Sequence, residues 1–299
     1  MFLGYPAEIW VLQLFIGLVN GCVFILMALG LSIIFGLMGI INFGHGIFYM
    51  MGAYAGYTTY VTTGSFWLAL LVAPLVCGLV GAAIERGLLR KIYTAKNPLF
   101  SGVLVTYGLS IFVPDLIRLL YGRPGKPFPI PEYLKQGFFK IGRTEIGEYR
   151  IFVLVVTALL VPCLWYVLNR TNLGMIIRAG STDNLMVQAL GINVSRIWTF
   201  TFGFGIALAA FAGAVAAPLF AVVPEMGAAI LIQNFIVVVV GGMGSFAGAI
   251  VGGLLVGQVL SLTSLVYDVL GDVIIYVLMA AVLLVRPRGL FGQEGVFEK

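Results

Sequence analysis

The chain has 299 residues, of which 61% are hydrophobic and 10% charged, a balance that soluble domains of this size do not carry. Its formal net charge of +5 comes from basic residues set in short breaks between apolar runs. No basic patch is interleaved with stacking aromatics, so nucleic acid is not expected as a partner, whereas membrane lipid is.

The expected fold is all-α, a single polytopic transmembrane domain over residues 1–299 with about eight or nine membrane segments, some broken or re-entrant. Windows near the roughly 20 apolar residues that a membrane helix needs run over 9–37, 42–62, 65–85, 98–121, 151–168, 197–220, 229–243, 247–265 and 270–286. The first window follows Glu8, and no Lys or Arg precedes Arg86. It therefore lacks the charged start of a cleavable signal and is expected to remain as a span. Just after it, GLMGIINFGHG (Gly36–Gly46) interrupts the apolar run. Asn42 and His45 are uncharged polar groups inside this break; they either line a pathway or bond the carbonyls that the break frees.

Arg86, Arg90, Lys91 and Lys96 form a first basic cluster, Arg170, Arg178 and Arg196 a second, and Arg286 and Arg288 a third. The positive-inside rule puts all three in the cytoplasm, with the N-terminus outside and the C-terminus inside. The loop 122–150 carries Arg123, Lys126, Lys135, Lys140, Arg143 and Arg150, yet parity places it outside. Its RPGKPFPIPEY stretch and the hairpin-like KIGRTEIGEYRIF predict an ordered extracytoplasmic cap.

The segment 170–196 is polar and charged between two apolar runs, and it predicts a short cytoplasmic docking helix. Ser181, Thr182 and Asp183 are good N-cap residues, and Gly191 suits the left-handed position that ends a helix. Between them Leu185, Met186, Ala189 and Leu190 share one face while Asn184 and Gln188 point away, an apolar knob for a partner's groove.

Glycines recur at helical spacing: Gly17 and Gly21, Gly52 and Gly56, Gly244, Gly248 and Gly252, Gly253 and Gly257. Such steps let two helix backbones approach closely in lipid. GGMGSFAGAIVGG (Gly241–Gly253) shares a GxMG start with GLMGIINFGHG, one in each half of the chain. Interruptions in corresponding positions give the chain the character of an inverted repeat built around a translocation path.

Chemistry is sparse. His45 is the single histidine, and no carboxylate or cysteine stands near it, so no catalytic or metal set is expected and the protein is not read as an enzyme. Cys22, Cys77 and Cys163 lie inside apolar runs as packing residues. No GxxxxGK[ST] loop is present, so the chain cannot hydrolyse ATP by itself. The scarcity of charge deep in the spans argues against ion coupling.

Taken together, NGCVFILMALGLSIIFGLMGIINFGHGIFYMMGAY, RAGSTDNLMVQALGIN and GGMGSFAGAIVGGLLVGQ resemble the permeases of branched-chain amino acid ABC importers, specifically the LivH-type subunit, from about Gly17 to Gly292. The resemblance implies an inner-membrane subunit of a prokaryote that moves hydrophobic amino acids inward by ATP-driven alternating access; related systems take amides, urea or aromatic carboxylates. It implies a second permease of LivM type, two cytoplasmic ATPase subunits that hold ATP and Mg, and an extracytoplasmic solute-binding protein, with no cofactor on this chain. Carried over by position, the family's NFxHG pathway motif falls on Asn42, Phe43, His45 and Gly46. The coupling segment falls on Asp183 through Gly191 and Ile192, and the late packing motif on Gly241, Gly242, Gly244, Ser245, Gly248, Gly252 and Gly253. Many relatives have Ala where this chain has Val187.

Overall fold

A computed structural model describes residues 6–39, 42–93, 95–135, 138–141, 144–182, 184–267 and 270–292. The described elements are helical apart from one short hairpin. Helix α1 (Ala7–Met38) is apolar almost throughout and ends at Gly39, whose φ of 63° lets its N–H reach back to Phe35 O. Next come α2 (His45–Thr63) and α3 (Phe66–Ile84), which runs through a five-residue π-turn (Glu85–Leu89) into the single turn α4 (Arg90–Ile92). Then α5 (Pro98–Tyr121), strands β1 (Phe138–Ile141) and β2 (Thr144–Gly147), and α6 (Glu148–Arg170) lead to α7 (Asn172–Thr182) and α8 (Asn184–Ala189). The chain continues through α9 (Val194–Ala216), α10 (Met226–Gly241), α11 (Phe246–Val266) and α12 (Gly271–Val285).

Among the described residues six helices are long and apolar enough to cross a membrane, namely α1, α3 with α4, α5, α6, α9 and α11. Helix α10 and the apolar stretch Val273–Val285 of α12 are shorter, and α2 is diluted by Tyr and Thr. Helices α5 and α6 leave most of their apolar surface exposed while α1 and α9 are largely buried. That is the inversion expected of a bundle dissolved in lipid, where the solvent is as apolar as the core.

Close backbone approach, rather than water-driven burial, holds such a bundle together. Gly17 and Gly21 of α1 meet the stretch Gly253–Gln258 of α11 in antiparallel order, and Gly78 of α3 meets Gly203 and Ala207 of α9 in the same sense. At Gly213 an added Cβ would stand 1.9 Å from Tyr49 O, and at Gly46 2.1 Å from Gly227 O. In neither place is there room for a side chain.

The contacts reveal an internal exchange symmetry. Gly30 and Gly205 each face the other's carbonyl, as do Gly46 and Gly227, so α1 pairs with α9 and α2 with α10. Under the same exchange the α1–α11 contact corresponds to α9–α3. The turns agree: Gly64–Ser65–Phe66 and Gly244–Ser245–Phe246 both place a left-handed Gly (φ 70° and 77°) before a Ser that caps the following helix, accepting from Leu68 N and Gly248 N. The expected repeat is present in a corrected register. GGMG corresponds to the α2–α3 turn, whereas the break before α2 corresponds to the stretch 217–225 before α10. Gly244 accordingly lies in a turn against Gly36, not on the face of α11, which Gly248 and Gly252 use to meet Gly241 and Val237.

The described residues between α5 and α6 pack against the bundle. Strands β1 and β2 pair antiparallel from Phe138↔Gly147 to Ile141↔Thr144, and Phe128 is buried among Tyr57, Tyr60 and Phe66. Lys126 exchanges both backbone hydrogen bonds with Val222 (2.9 and 3.0 Å), and Arg118 grips Glu225 (Nη2–Oε1 2.9 Å) while it also pairs with Asp115. These residues and the end of α5 therefore clamp the stretch that leads into α10.

Candidate translocation and coupling sites

Chain reversal after α1 brings residues 42–45 back into the bundle beside the middle of that helix. Asn42 folds as an Asx turn, its Oδ1 accepting from Gly44 N at 3.0 Å. Phe43 N–H donates to Thr106 Oγ1 (3.2 Å), which itself donates to Gly102 O (2.9 Å). His45 opens α2 fully buried, with Nε2 donating to Met27 O at 3.2 Å. The bonds to Gly44 N and Phe43 N satisfy N–H groups that the break would leave bare in hydrocarbon, while those to Gly102 O and Met27 O share carbonyls inside α5 and α1.

A cavity of about 420 Å³ lies beside this break, between the start of α2 and helices α5, α10 and α12. Its lining is apolar, led by Phe43, Ile47, Leu231 and Phe235, with the hydroxyl-bearing Tyr107, Ser110 and Tyr276 at its walls. Phe43 stacks on Phe235 with ring centroids 6.0 Å apart. Of the four residues read as pathway-lining, Phe43 faces this cavity. Asn42 and His45 are buried on the backbone side, and Gly46 is used up by its contact with Gly227. Asn42 and His45, 2% and 0% exposed, bond the backbone of the chain reversal through Oδ1 and Nε2, the backbone-holding alternative of the two readings.

That arrangement predicts a stability phenotype. The double variant Asn42→Ala/His45→Ala is expected to destabilise the permease by about 2–4 kcal/mol, from lost hydrogen bonds and the space left behind. Thermal unfolding in detergent, yield and uptake should fall in parallel. Loss of uptake at unchanged stability and yield would return both side chains to the pathway.

The segment 170–196 is built differently from its expectation in one respect. Ser181 and Thr182 form the last turn of α7, where Ser181 Oγ donates to Arg178 O (2.7 Å). The cap of α7 is Thr171, whose Oγ1 accepts from Gly174 N (3.3 Å). Asp183 lies outside the described residues, as does the side chain of Leu185. Helix α8 does end as the sequence predicts. Gly191, at φ 79°, donates to Gln188 O (2.9 Å) and Ile192 N–H to Val187 O (3.4 Å), the paired bonds of a Schellman ending. Met186 and Leu190 point outward, 60% and 73% exposed, with Ala189 beside them, while Val187 is 3% exposed and anchors the helix.

A polar joint that the sequence does not single out connects this region to α3. Glu85, fully buried at the π-turn, accepts from Thr199 Oγ1 (2.6 Å), Arg90 Nη2 (3.2 Å) and Tyr93 OH (3.4 Å). Arg90 also reaches Ser195 O (3.0 Å). Burial, then the adjacent Glu85 carboxylate, pushes the Tyr93 hydroxyl far above its ordinary pKa, so it stays a neutral donor. Asn193 caps α9 by accepting from Arg196 N (3.1 Å). Helix α9, which follows α8, is thus bonded to the C-terminal end of α3. Nothing in ERGLL announces a π-turn or a buried carboxylate, so the sequence offered no signal for this joint.

Residues 13–283 match the family model described as branched-chain amino acid transport system / permease component. The chain is 32% identical to the high-affinity branched-chain amino acid transport system permease protein BraD of Pseudomonas aeruginosa, covering 95% of this chain and 96% of the relative. It is 30% identical to the corresponding LivH protein of Escherichia coli K12 with the same coverage. It is also 30% identical to LivM of Salmonella typhimurium, over 75% of this chain and 57% of that one. No solved structure matches. A bundle of apolar helices with a broken span, matched nearly end to end by these relatives, makes the chain a member of the branched-chain amino acid transport permease family.

Proposed function

We propose that this chain is one of two permease subunits of a prokaryotic inner-membrane ABC importer for branched-chain and similar hydrophobic amino acids. The supporting observation is the cavity at Phe43: its volume lies in the range of small-molecule sites, and an apolar wall with a few hydroxyls suits an aliphatic side chain with a polar end. A LivM-type chain would supply the facing wall. Since LivM itself is similar in sequence to this chain, the two walls would be built alike. An extracytoplasmic binding protein would deliver the solute against the clamped outer cap, and two ATPase subunits, holding ATP and Mg, would seat on α7 and α8.

No step is covalent. ATP binding and hydrolysis would shift the population between two bundle arrangements, with α8 as handle and the Glu85 joint carrying its motion to α3. Phe43→Ala is expected to lower uptake of leucine, isoleucine and valine at least tenfold in whole cells, with assembly and thermal stability nearly unchanged because the side chain faces a cavity. Unaltered uptake would remove the cavity from the pathway, and preferential loss of amide or urea uptake would reassign the solute.

A further inference from the structure

We infer that the groove between α3 and α9 is a binding site for one anionic phospholipid of the cytoplasmic leaflet. Its floor is made of small residues, Gly78, Ala82, Gly203 and Ala207, that let the two helices lie close together. Its walls are large and outward-facing: Leu71, Leu75 and Leu79 on one side, the stacked pair Phe200 and Phe204 on the other. The trough encloses about 970 Å³. At its cytoplasmic end stand Arg86, Arg90 and Arg196, with Asn193 and Ser195 beside them.

Charge selects the occupant. Arg90 is engaged by Glu85, but Arg86 and Arg196 are exposed and, among the described residues, have no carboxylate within ion-pair distance. The N-terminus of α9 adds its positive dipole end at the same level. Leu75 and Arg86 stand roughly 16 Å apart along the helix axis at 1.5 Å per residue, about half the ~30 Å hydrocarbon core. An acyl chain of one leaflet therefore fits the apolar trough while its phosphate meets two unpaired guanidiniums, which bind phosphate bidentately. Basic pockets between membrane helices on the cytoplasmic side take anionic headgroups for this reason. An apolar trough that ends at two exposed guanidiniums matches the acyl chain and phosphate of a lipid in both parts.

Photoactivatable phosphatidylglycerol and phosphatidylcholine, each with a diazirine in the acyl chain, test this on the full chain in native membranes with its partner subunits. Crosslinked residues are mapped by peptide mass spectrometry. Phosphatidylglycerol should label the stretches 71–79 and 200–207 at least fivefold more than phosphatidylcholine does. Arg86→Gln/Arg196→Gln should erase that preference, and Arg86→Lys/Arg196→Lys should keep most of it. Equal labelling by both lipids in the unaltered protein overturns the proposal, as does absence of labelling by either, which would mean that another helix covers the groove. Because the lipid comparison is made on the unaltered protein, it stays decisive even where a variant fails to assemble.

Discussion

Gly46→Leu should leave no folded permease to purify. Its Cβ would stand 2.1 Å from Gly227 O and 2.8 Å from the Leu231 Cβ, and the first of these is a backbone atom that cannot rotate away. Separating α2 from α10 enough to admit a side chain also opens the reciprocal contact at Gly227, where an added Cβ would stand 2.7 Å from Gly46 O. Overpacking of even mobile side chains costs about 1–3 kcal/mol, and an obstruction by main chain exceeds that, against a total stability of roughly 5–15 kcal/mol. Gly108→Ala is the control. It lies mid-helix in α5, where an added Cβ meets nothing within 4 Å, and Ala is the better helix former by up to about 1 kcal/mol. Folded yield by size-exclusion chromatography should collapse for the first variant and hold for the second; recovery of folded Gly46→Leu protein would mean that α2 and α10 do not touch here.

Leu190→Asp should abolish ATP-driven uptake by a protein that is otherwise intact. Leu190 is 73% exposed and immediately precedes the left-handed Gly191, so the substitution disturbs neither the Schellman bonds nor the bundle. On the proposed function, what it changes is the knob offered to the ATPase subunits. A carboxylate buried without a counter-ion in an apolar groove costs several kcal/mol, enough to lower ATPase association a hundredfold or more. Pull-down of the ATPase subunits and uptake should fall together at normal permease yield. The inward-facing neighbour gives the contrast: Val187→Asp, at 3% exposure, should reduce yield itself. Normal association of Leu190→Asp would move the docking contact elsewhere.

Legibility of the sequence follows the physics of each element. Spans are readable because lipid demands long apolar helices whatever their neighbours are, and the ending at Gly191 is readable because the left-handed position excludes almost every other residue. Helix α7 is hidden since Ser181 and Thr182 suit both a cap and a last turn, and only packing decides which. The repeat shows in sequence through GxMG, a coincidence in a chain with 39 glycines. Its true marker is Gly-Ser-Phe, where each residue has a separate duty in turning one helix into the next. At the break, sequence locates the polar groups but not their direction; Thr106, far away in the chain, receives Phe43 N–H and so determines which side chain reaches the cavity.

The exchange of α1 for α9, α2 for α10 and α3 for α11 also constrains ancestry. On the topology expected from charge, in which α1, α2, α3, α5 and α6 each cross the membrane, five crossings would separate the start of the first unit from the start of the second, and five is odd. The second copy would then lie upside down relative to the first. Fusion of two copies of a gene for such a unit would invert the second copy by parity alone, and bring the two together across the contacts now made by Gly30 with Gly205 and Gly46 with Gly227.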